Sequence, residues 1–336
     1  MEPLSPNLAA LLGHAEAYED IILRLSRSLL EPGDIAIDGG AGRGRNSFAM
    51  AAAVGAEGRV LACEPIAWLA ERLGIEAERR SLPQLAVRAV ALAAAPGEAG
   101  FHWVRNADAY SGLQPRSYPV EPDTALTPVT CTTIDALLAG ETRRWRFAKL
   151  DLQGGKLPAL RGAAAAIAAH RPVLVLQNAR AAAAAAYGYD AASFFGFFAG
   201  LGYRVLDLFG RSFGRADWDR TDIPWYAIAV PADSSAEVAL RSVLGRILAE
   251  AAHRATDPGI AELEPWLAQR ACQRRPGYSP APLPRDLEAG RCSADASAGG
   301  DRARRRLGPR QLPRPAAWRP APHHRERPAL PLCRAR

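Results

Sequence analysis

An acid and three glycines stand at every second position in one short stretch of the chain: Asp38, Gly40, Gly42 and Gly44. Glycine lets the backbone turn sharply and lets a ligand lie against main-chain N–H groups where a helix begins. A further acid, Glu64, ends the next apolar run. A carboxylate at the end of a second strand is placed to accept both hydroxyls of a ribose. These five residues therefore predict a nucleoside-binding loop.

The spacing of these glycines does not fit two common nucleotide-binding loops. A dinucleotide fingerprint needs G-x-G-x-x-G, but the residue three after Gly42 is Arg45, and no G-K-[S/T] phosphate loop exists. The D-x-G-x-G-x-G spacing of residues 38–44 instead resembles motif I of S-adenosylmethionine-dependent methyltransferases, whose ligand has no pyrophosphate to wrap. The alternative is a glycine-rich turn in another α/β protein. We favour the methyltransferase because the flanking strands and Glu64 fit together.

Apolar runs that alternate with helical patterns surround this loop. Seven runs are predicted as strands, at residues 34–38, 59–63, 85–92, 146–152, 172–177, 203–208 and 225–230. Helices are predicted at residues 46–54, 134–138, 157–169 and 193–201. The alternation predicts an α/β fold: a Rossmann-like, doubly wound, mainly parallel seven-stranded sheet with helices on both faces. Residues 97–104 add an extra strand or hairpin arm, and residues 129–133 are also β-prone.

The chain divides into four segments. Residues 1–33 are interpreted as a helical cover that packs on the sheet, and residues 34–232 as the methyltransferase domain. Residues 233–270 form a helical extension. The last segment, 271–336, has 11 Pro and 15 Arg and contains no Ile, Val or Phe. It cannot bury enough apolar surface to offset chain ordering, so we expect a disordered Arg/Pro-rich tail.

The charge of the chain is unevenly distributed. The net charge is +7, but residues 271–336 carry +10, which leaves −3 for residues 1–270. This mildly acidic remainder argues against a nucleic-acid binder. The tail has two further interpretations: out-of-frame translation of GC-rich DNA, or a basic arm that contacts acidic partners.

The cysteines and the hydropathy indicate a compartment. The five cysteines are odd in number and show no C-x-x-C spacing, which argues against a disulfide framework or zinc site and suits a reducing environment. No uncharged run approaches ~20 residues, so we expect no membrane span. The N-terminus has no basic region typical of a signal peptide. We therefore expect a cytoplasmic protein, and the Ala, Arg, Gly and Pro content suggests a GC-rich bacterial genome. The oligomeric state is not indicated.

Several segments together resemble the FkbM family of methyltransferases, over roughly residues 20–230. The segments are IDGGAGRGRNSFAMAAA, GRVLACEP, VALAAAPGEAGFHWV, SGL, CTTIDALL, FAKLDLQGGKLPALRGA and RPVLVLQ. The resemblance implies methyl transfer from S-adenosylmethionine to a small-molecule acceptor, commonly a hydroxyl on a sugar or a natural-product scaffold.

The chain departs from the family pattern at three acids. The family has K-I-D-x-E-G-x-E near the fourth strand, and here Gln153 and Lys156 replace its two glutamates. A further family glutamate, after R-P, is Gln177. We expect all three to line the ligand crevice, which leaves Asp151 as its only hard anionic ligand and makes a divalent metal site unexpected. An altered or inactive relative that serves as a binding or assembly module is the alternative function. A further alternative is a nicotinamide oxidoreductase. The absence of the G-x-x-G spacing from the glycine loop argues against it.

Candidate site residues follow from these positions. Asp38, Gly40, Gly42, Gly44 and Glu64 are predicted to bind the cofactor. Two polar residues after the extra hairpin, Asp108 and Ser111, could contact adenine or acceptor, although an ordinary turn explains them equally well. The end of a parallel strand is where open α/β folds bind ligands. Asp151, which ends the 146–152 strand, is therefore the candidate general base or hydroxyl-orienting residue.

Overall fold

The computed structural model describes residues 15–116, 118, 121–178 and 180–255. The first 14 residues of the predicted cover, residues 256–270 of the predicted extension and the whole predicted tail, 271–336, lie outside the described residues.

Strands and helices alternate along the described chain. The strands are β1 Ile35–Gly39, β2 Arg59–Cys63, β3 Leu85–Arg88, β4 Ala91–Leu92, β5 Gly97–Val104, β6 Thr124–Thr132, β7 Trp145–Leu150, β8 Val173–Gln177, β9 Tyr203–Asp207 and β10 Tyr226–Pro231. The helices are α1 Ala15–Leu29, α2 Arg45–Val54, α3 Ala67–Arg79, α4 Ile134–Leu137, α5 Lys156–Arg161, α6 Ala164–His170, α7 Arg180–Ala186, α8 Ala191–Gly200 and α9 Ser235–Ala255. None of the described helices combines the length and the hydropathy needed to cross a membrane.

Seven strands form one mixed sheet. Their order is β3-β2-β1-β7-β8-β10-β9. The first five strands of that order run parallel, and β10 runs antiparallel to both β8 and β9. The predicted Rossmann-like, mainly parallel seven-stranded sheet is confirmed. From β1 the chain continues first to β2 and β3 on one side of the sheet and later to β7 and the remaining strands on the other side. Sheets of this kind bind their ligands at such a switch point.

The sheet buries both of its faces. Successive residues of a strand point to opposite faces, so Ala36 enters one apolar cluster while Ile35 and Ile37 enter another. The first cluster contains side chains of α1, α2, α3 and α9, and the second contains those of α4 to α8. The predicted arrangement of helices on both faces is therefore confirmed.

The predicted third strand, residues 85–92, is wrong as a single element. It divides into β3, which pairs with β2, and β4, which pairs with β6 in a second sheet ordered β4-β6-β5. A tight turn separates the two, since the N–H of Val90 donates to the carbonyl of Arg88 at 2.9 Å. The second sheet covers one side of the ligand crevice, and β5 pairs along its whole length with β6.

Two further predicted boundaries are wrong. The helix predicted at 157–169 is interrupted at Gly162, where a Cβ would lie 2.3 Å from the carbonyl oxygen of Ala93. The chain must pass close to that carbonyl, and the helix divides into α5 and α6. The strand predicted at 146–152 ends at Leu150, so Asp151 lies just beyond its strand. Helix α7, an alanine run, was not predicted because alanine carries no amphipathic signal.

Helix α9 belongs to the same core as α1. Its residues Leu240, Leu244 and Ile247 are buried in the cluster that holds Ile21 and Ile22 of α1. A charged pair, Arg24 and Glu250, joins the two helices at the surface. The extension is therefore packed against the N-terminal helix as far as the described residues reach.

Candidate functional site

The glycine loop links the ends of three neighbouring strands. The N–H groups of Gly40 and Ala41 donate to the carbonyl of Cys63 at the end of β2, at 2.9 and 3.1 Å. The N–H of Asp151 donates to the carbonyl of Gly39 at 2.9 Å. Gly40 has φ +74°, and a Cβ there would lie 2.2 Å from the carbonyl oxygen of Asp151. Only glycine allows this approach, which brings β1, β2 and β7 together.

Glu64 is fixed by two main-chain donors. Its Oε2 accepts from the N–H of Gly42 at 2.8 Å, and its Oε1 accepts from the N–H of Ile66 at 2.9 Å. The residue is 4% exposed, and burial raises the pKa of its carboxyl while these two hydrogen bonds oppose the rise. Each carboxylate oxygen keeps further acceptor capacity for a ligand.

Asp38 and Gly44 lie behind the loop instead of on the cavity. Asp38 is 1% exposed, and its Oδ2 accepts from the hydroxyl of Ser47 at 2.6 Å. Burial raises the pKa of Asp38. Gly44 has φ +81°, and a Cβ there would lie 2.2 Å from Cδ1 of Leu73. These two residues fix the start of α2 and the loop that precedes it.

A cavity of about 320 Å³ opens where the loop meets the strand ends. Six of the eight candidate site residues line it: Gly40, Gly42, Glu64, Asp108, Ser111 and Asp151. The volume lies at the lower end of the range typical of small-molecule sites, ~300–1,000 Å³. The predicted residues therefore share one cavity, apart from the two behind the loop.

Asp108 and Ser111 are held by their own hairpin. Oδ1 of Asp108 accepts from the indole N–H of Trp103 at 2.9 Å. The hydroxyl oxygen of Ser111 accepts from the N–H of Val104 at 3.0 Å. Both residues thus shape the turn after β5, and both face the cavity.

Asp151 lies within a ring of donors. Its Oδ1 accepts from the amide of Gln153 at 2.7 Å, and its Oδ2 accepts from the hydroxyl of Tyr226 at 3.1 Å. The ammonium of Lys149 is 3.5 Å from the same Oδ2. Burial alone would lower the pKa of Lys149, but Asp151, Asp38 and Glu19 raise it above its ordinary value. Lys149 is therefore a buried ammonium beside the candidate base.

Glu19 is a carboxylate of the site that the sequence reasoning missed. It lies on α1 and lines the cavity. Its Oε1 accepts from the hydroxyl of Tyr226 at 2.7 Å, and its Oε2 accepts from the amide of Asn46 at 3.1 Å. The expectation that Asp151 would be the only hard anionic ligand at this place is therefore wrong. One signal was available: Glu19 lies at the edge of the buried face of α1.

The three positions where family acids are replaced do not share one location. Gln153 lines the cavity and links Asp151 to Arg116, which donates to its amide oxygen. Lys156 and Gln177 do not line the cavity. The expectation that all three line the crevice is wrong for these two. Lys156 misses the cavity because α5 begins there and turns its side chain into the core.

Lys156 lies in a box of aromatic rings. Its ammonium is 5.0 Å from the ring centre of Trp218 and 5.3 Å from that of Phe194. Its one hydrogen-bond acceptor among the described residues is Oδ1 of Asn178, at 3.4 Å. The residue is 1% exposed, and burial lowers its pKa to about 7.

Replacing Lys156 with methionine is expected to stabilise the fold. The folded pKa is about 7 and the ordinary value is 10.5, so the unfolded chain binds more protons between these values. Wild-type stability therefore rises with pH across that window, and the burial penalty is fully present below it. Denaturant titrations should show the largest advantage of Lys156→Met near about pH 6 and a smaller one near about pH 9. Arg161→Met, at an exposed position of α5, is the control. A pH-independent difference would contradict the argument.

No cluster of three or more His, Cys, Asp or Glu side chains suited to a metal ion occurs in the part of the chain that the structure describes. Glu19 and Asp151 both lie within hydrogen-bond distance of the hydroxyl of Tyr226.

Comparison with known proteins places the chain in a family. The model of the methyltransferase FkbM domain matches residues 38–205. A solved FkbM methyltransferase from Methylobacillus flagellatus is 14% identical, with 64% of this chain and 58% of that chain covered and a TM-score of 0.38. The chain thus spans less than two thirds of that protein's length.

Two structures solved with a ligand are also similar. The O-methyltransferase TomG from Streptomyces achromogenes, in complex with S-adenosylmethionine, is 13% identical, with 68% and 91% covered and a TM-score of 0.35. A putative methyltransferase from Streptococcus mutans, in complex with S-adenosylhomocysteine, is 10% identical, with 64% and 95% covered and a TM-score of 0.35. No curated protein sequence matches the chain. Because the family model matches half of its 336 residues, from the acid of the glycine loop to strand β9, the chain belongs to the FkbM methyltransferase domain family.

Proposed function

We propose that the protein transfers a methyl group from S-adenosylmethionine to a hydroxyl of a sugar or natural-product acceptor. The observation that carries this proposal is the Glu64 carboxylate, which Gly42 and Ile66 hold at the edge of the cavity that also contains Asp151. A fixed carboxylate of this kind suits the two hydroxyls of a ribose. Gly40 and Gly42 let the loop backbone lie against the ligand, and Asp108 and Ser111 border the same cavity.

The donor set suits this cofactor. S-Adenosylmethionine presents ribose hydroxyls and an ammonium as hydrogen-bond donors, and the cavity offers Glu64 and Asp108 as acceptors. The glycine loop does not need to wrap a phosphate. When bound, the cofactor supplies an electrophilic methyl carbon on a sulfonium. Asp38 and Gly44 serve this site by positioning the loop.

In the proposed reaction Asp151 orients the acceptor hydroxyl and accepts its proton. Gln153 and Tyr226 each donate to one of its oxygens and so fix the carboxylate plane. Lys149 places a positive charge 3.5 Å from this carboxylate. Positioning of the two reactants contributes the remainder of the catalysis.

Calorimetry with S-adenosylmethionine and with S-adenosylhomocysteine tests the proposal, followed by a turnover assay. We expect both ligands to bind. A folded protein that binds neither at millimolar concentration would overturn the cofactor assignment. Binding without transfer would favour the second candidate, an altered or inactive relative that acts as a binding or assembly module. One observation favours this second candidate. Gln153 replaces a family acid, and its amide donates a hydrogen bond to Oδ1 of Asp151.

We expect neither transfer nor cofactor-dependent stabilisation to need a divalent metal. Mg²⁺ is held by several oxygen ligands, whereas the ammonium of Lys149 already lies beside Asp151, and Tyr226 already lies between Asp151 and Glu19. The rate of transfer should be the same with a chelator as with added magnesium. The melting temperature in the presence of cofactor should also be the same in both conditions. A clear magnesium requirement would make Asp151 a metal ligand and would remove it as the proposed base.

Other predictions from the sequence stay proposals. They are a methyltransferase domain at 34–232 between a helical cover and a helical extension, a location in a bacterial cytoplasm, and a small-molecule partner in preference to nucleic acid or membrane. The −3 charge of residues 1–270 supports the exclusion of nucleic acid.

A further inference from the structure

The N-terminal helix contributes one acidic side chain to the cavity, Glu19. The proposed function does not assign this residue to the cofactor. Glu19 of α1 and Asp151 after β7 reach the same phenol from distant segments of the chain. The oxygen of Tyr226 is 2.7 Å from Oε1 of Glu19 and 3.1 Å from Oδ2 of Asp151. The two carboxylates therefore lie within the reach of one small polar group.

A count of donors shows that this pair is incompletely satisfied. A phenol has one O–H and donates it to one acceptor at a time. When Tyr226 donates to Glu19, the oxygen of Asp151 that faces it has only the ammonium of Lys149 at 3.5 Å. When Tyr226 donates to Asp151, Oε1 of Glu19 has no other hydrogen-bond donor among the described residues. A ligand that brings hydroxyl donors would satisfy both carboxylates at once.

The region around Glu19 also contains a buried acceptor that lacks a hydrogen-bond donor within the described residues. Oδ1 of Asn46, which neighbours Glu19 and lines the cavity, is buried and accepts no hydrogen bond in the described part of the chain. Because unsatisfied buried acceptors are costly, this end of the cavity favours a ligand that donates.

Glu19 is held in its anionic form. Burial alone would raise the pKa of its carboxyl, but Lys149 and the hydrogen bonds from Tyr226 and Asn46 bring it below its ordinary value. The charged groups that face it are Lys149, Arg45, Asp38 and Asp151. An anionic acceptor at neutral pH forms a charge-assisted hydrogen bond with a hydroxyl, which is stronger than a neutral one.

We propose that Glu19 and Asp151 together hold two neighbouring hydroxyls of the acceptor, so that the acceptor is a vicinal diol. Asp151 receives the hydroxyl that is methylated, and Glu19 holds the hydroxyl beside it. This assignment rests on the proposed function and narrows its acceptor class: an acceptor with a single isolated hydroxyl leaves Glu19 unpaired.

The test compares two probes that differ by one hydroxyl, cis-1,2-cyclohexanediol and cyclohexanol. Their dissociation constants are measured by NMR titration with S-adenosylhomocysteine at saturation. Wild type should bind the diol about tenfold more tightly, as a charge-assisted hydrogen bond implies. Glu19→Gln should reduce this preference to about twofold or less. Glu16→Gln, at an exposed position of the same helix, should keep the wild-type preference.

The outcomes separate this proposal from the proposed function. Calorimetry should show that Glu19→Gln binds S-adenosylhomocysteine as wild type does, and thermal unfolding should show that the variant folds. Equal affinity of wild type for the two probes, undetectable binding included, would overturn the diol site. A preference that survives in Glu19→Gln would also overturn it. Weaker cofactor binding in Glu19→Gln would assign Glu19 to the cofactor ammonium instead. If wild type binds no S-adenosylhomocysteine, the proposed function itself fails.

Discussion

Asp151→Asn should lower the rate of methyl transfer by about 10²- to 10⁴-fold, the usual contribution of a positioned general base. Asparagine keeps the shape of the side chain and an acceptor for Gln153, but its amide cannot take a proton from a hydroxyl. Lys149 keeps two of its anionic neighbours, Glu19 and Asp38, so the buried ammonium is not left alone. We therefore expect a folded variant whose defect lies in turnover.

The measurement is the initial rate of S-adenosylhomocysteine formation with an acceptor that wild type methylates, beside calorimetric cofactor binding. Asp233→Asn is a matched control, since Asp233 is an exposed residue with φ +49°, a conformation that asparagine tolerates. A wild-type rate for Asp151→Asn would remove Asp151 as the base. A loss of cofactor affinity equal to the loss of rate would make it a binding residue.

Glu64→Gln should weaken the binding of S-adenosylmethionine by about 1–3 kcal/mol, or roughly 5- to 150-fold. The carboxylate accepts from two main-chain N–H groups, and an amide places an NH₂ group against one of them. The variant loses the charge that strengthens the bonds to the ribose hydroxyls, and it also loosens the loop at Gly42.

Calorimetry measures this affinity, with Glu71→Gln on the exposed side of α3 as the control. Circular dichroism separates loss of binding from loss of fold. Unchanged affinity in Glu64→Gln would exclude Glu64 from the ribose site and would withdraw the observation on which the proposed function depends.

The local parts of the fold and of the site were predictable from the sequence. The β1–loop–α2 unit was predictable because a short apolar strand, spaced glycines and a helix follow one another within about 20 residues, and each has its own local signal. Glu64 follows from the same unit, because a strand end in a parallel sheet has a known position. The placement of Asp151 beside the loop follows in the same way.

Contacts between distant segments were not predictable. Glu19 meets Tyr226 across 207 positions of the sequence, and no periodicity in either segment indicates the other. The division of residues 85–92 depends on β6, which comes about 40 residues later and takes the second half into another sheet. The burial of Lys156 was not predictable for the same reason, because its aromatic neighbours Phe194 and Trp218 come later in the chain.

The shared hydroxyl of Tyr226 has a consequence for how the protein becomes active as it is synthesised. Helix α1 leaves the ribosome first among the described elements. Strand β10, which contains Tyr226, and helix α9, which packs on α1, leave last. The two hydrogen bonds that hold Glu64 join residues no more than 22 positions apart, so they can form early in synthesis. The end of the cavity that contains Glu19 waits for the rest of the chain, because contacts of large sequence separation form late. A nascent chain halted before β10 would therefore carry Glu19 and Asp151 without the hydroxyl of Tyr226 that contacts both.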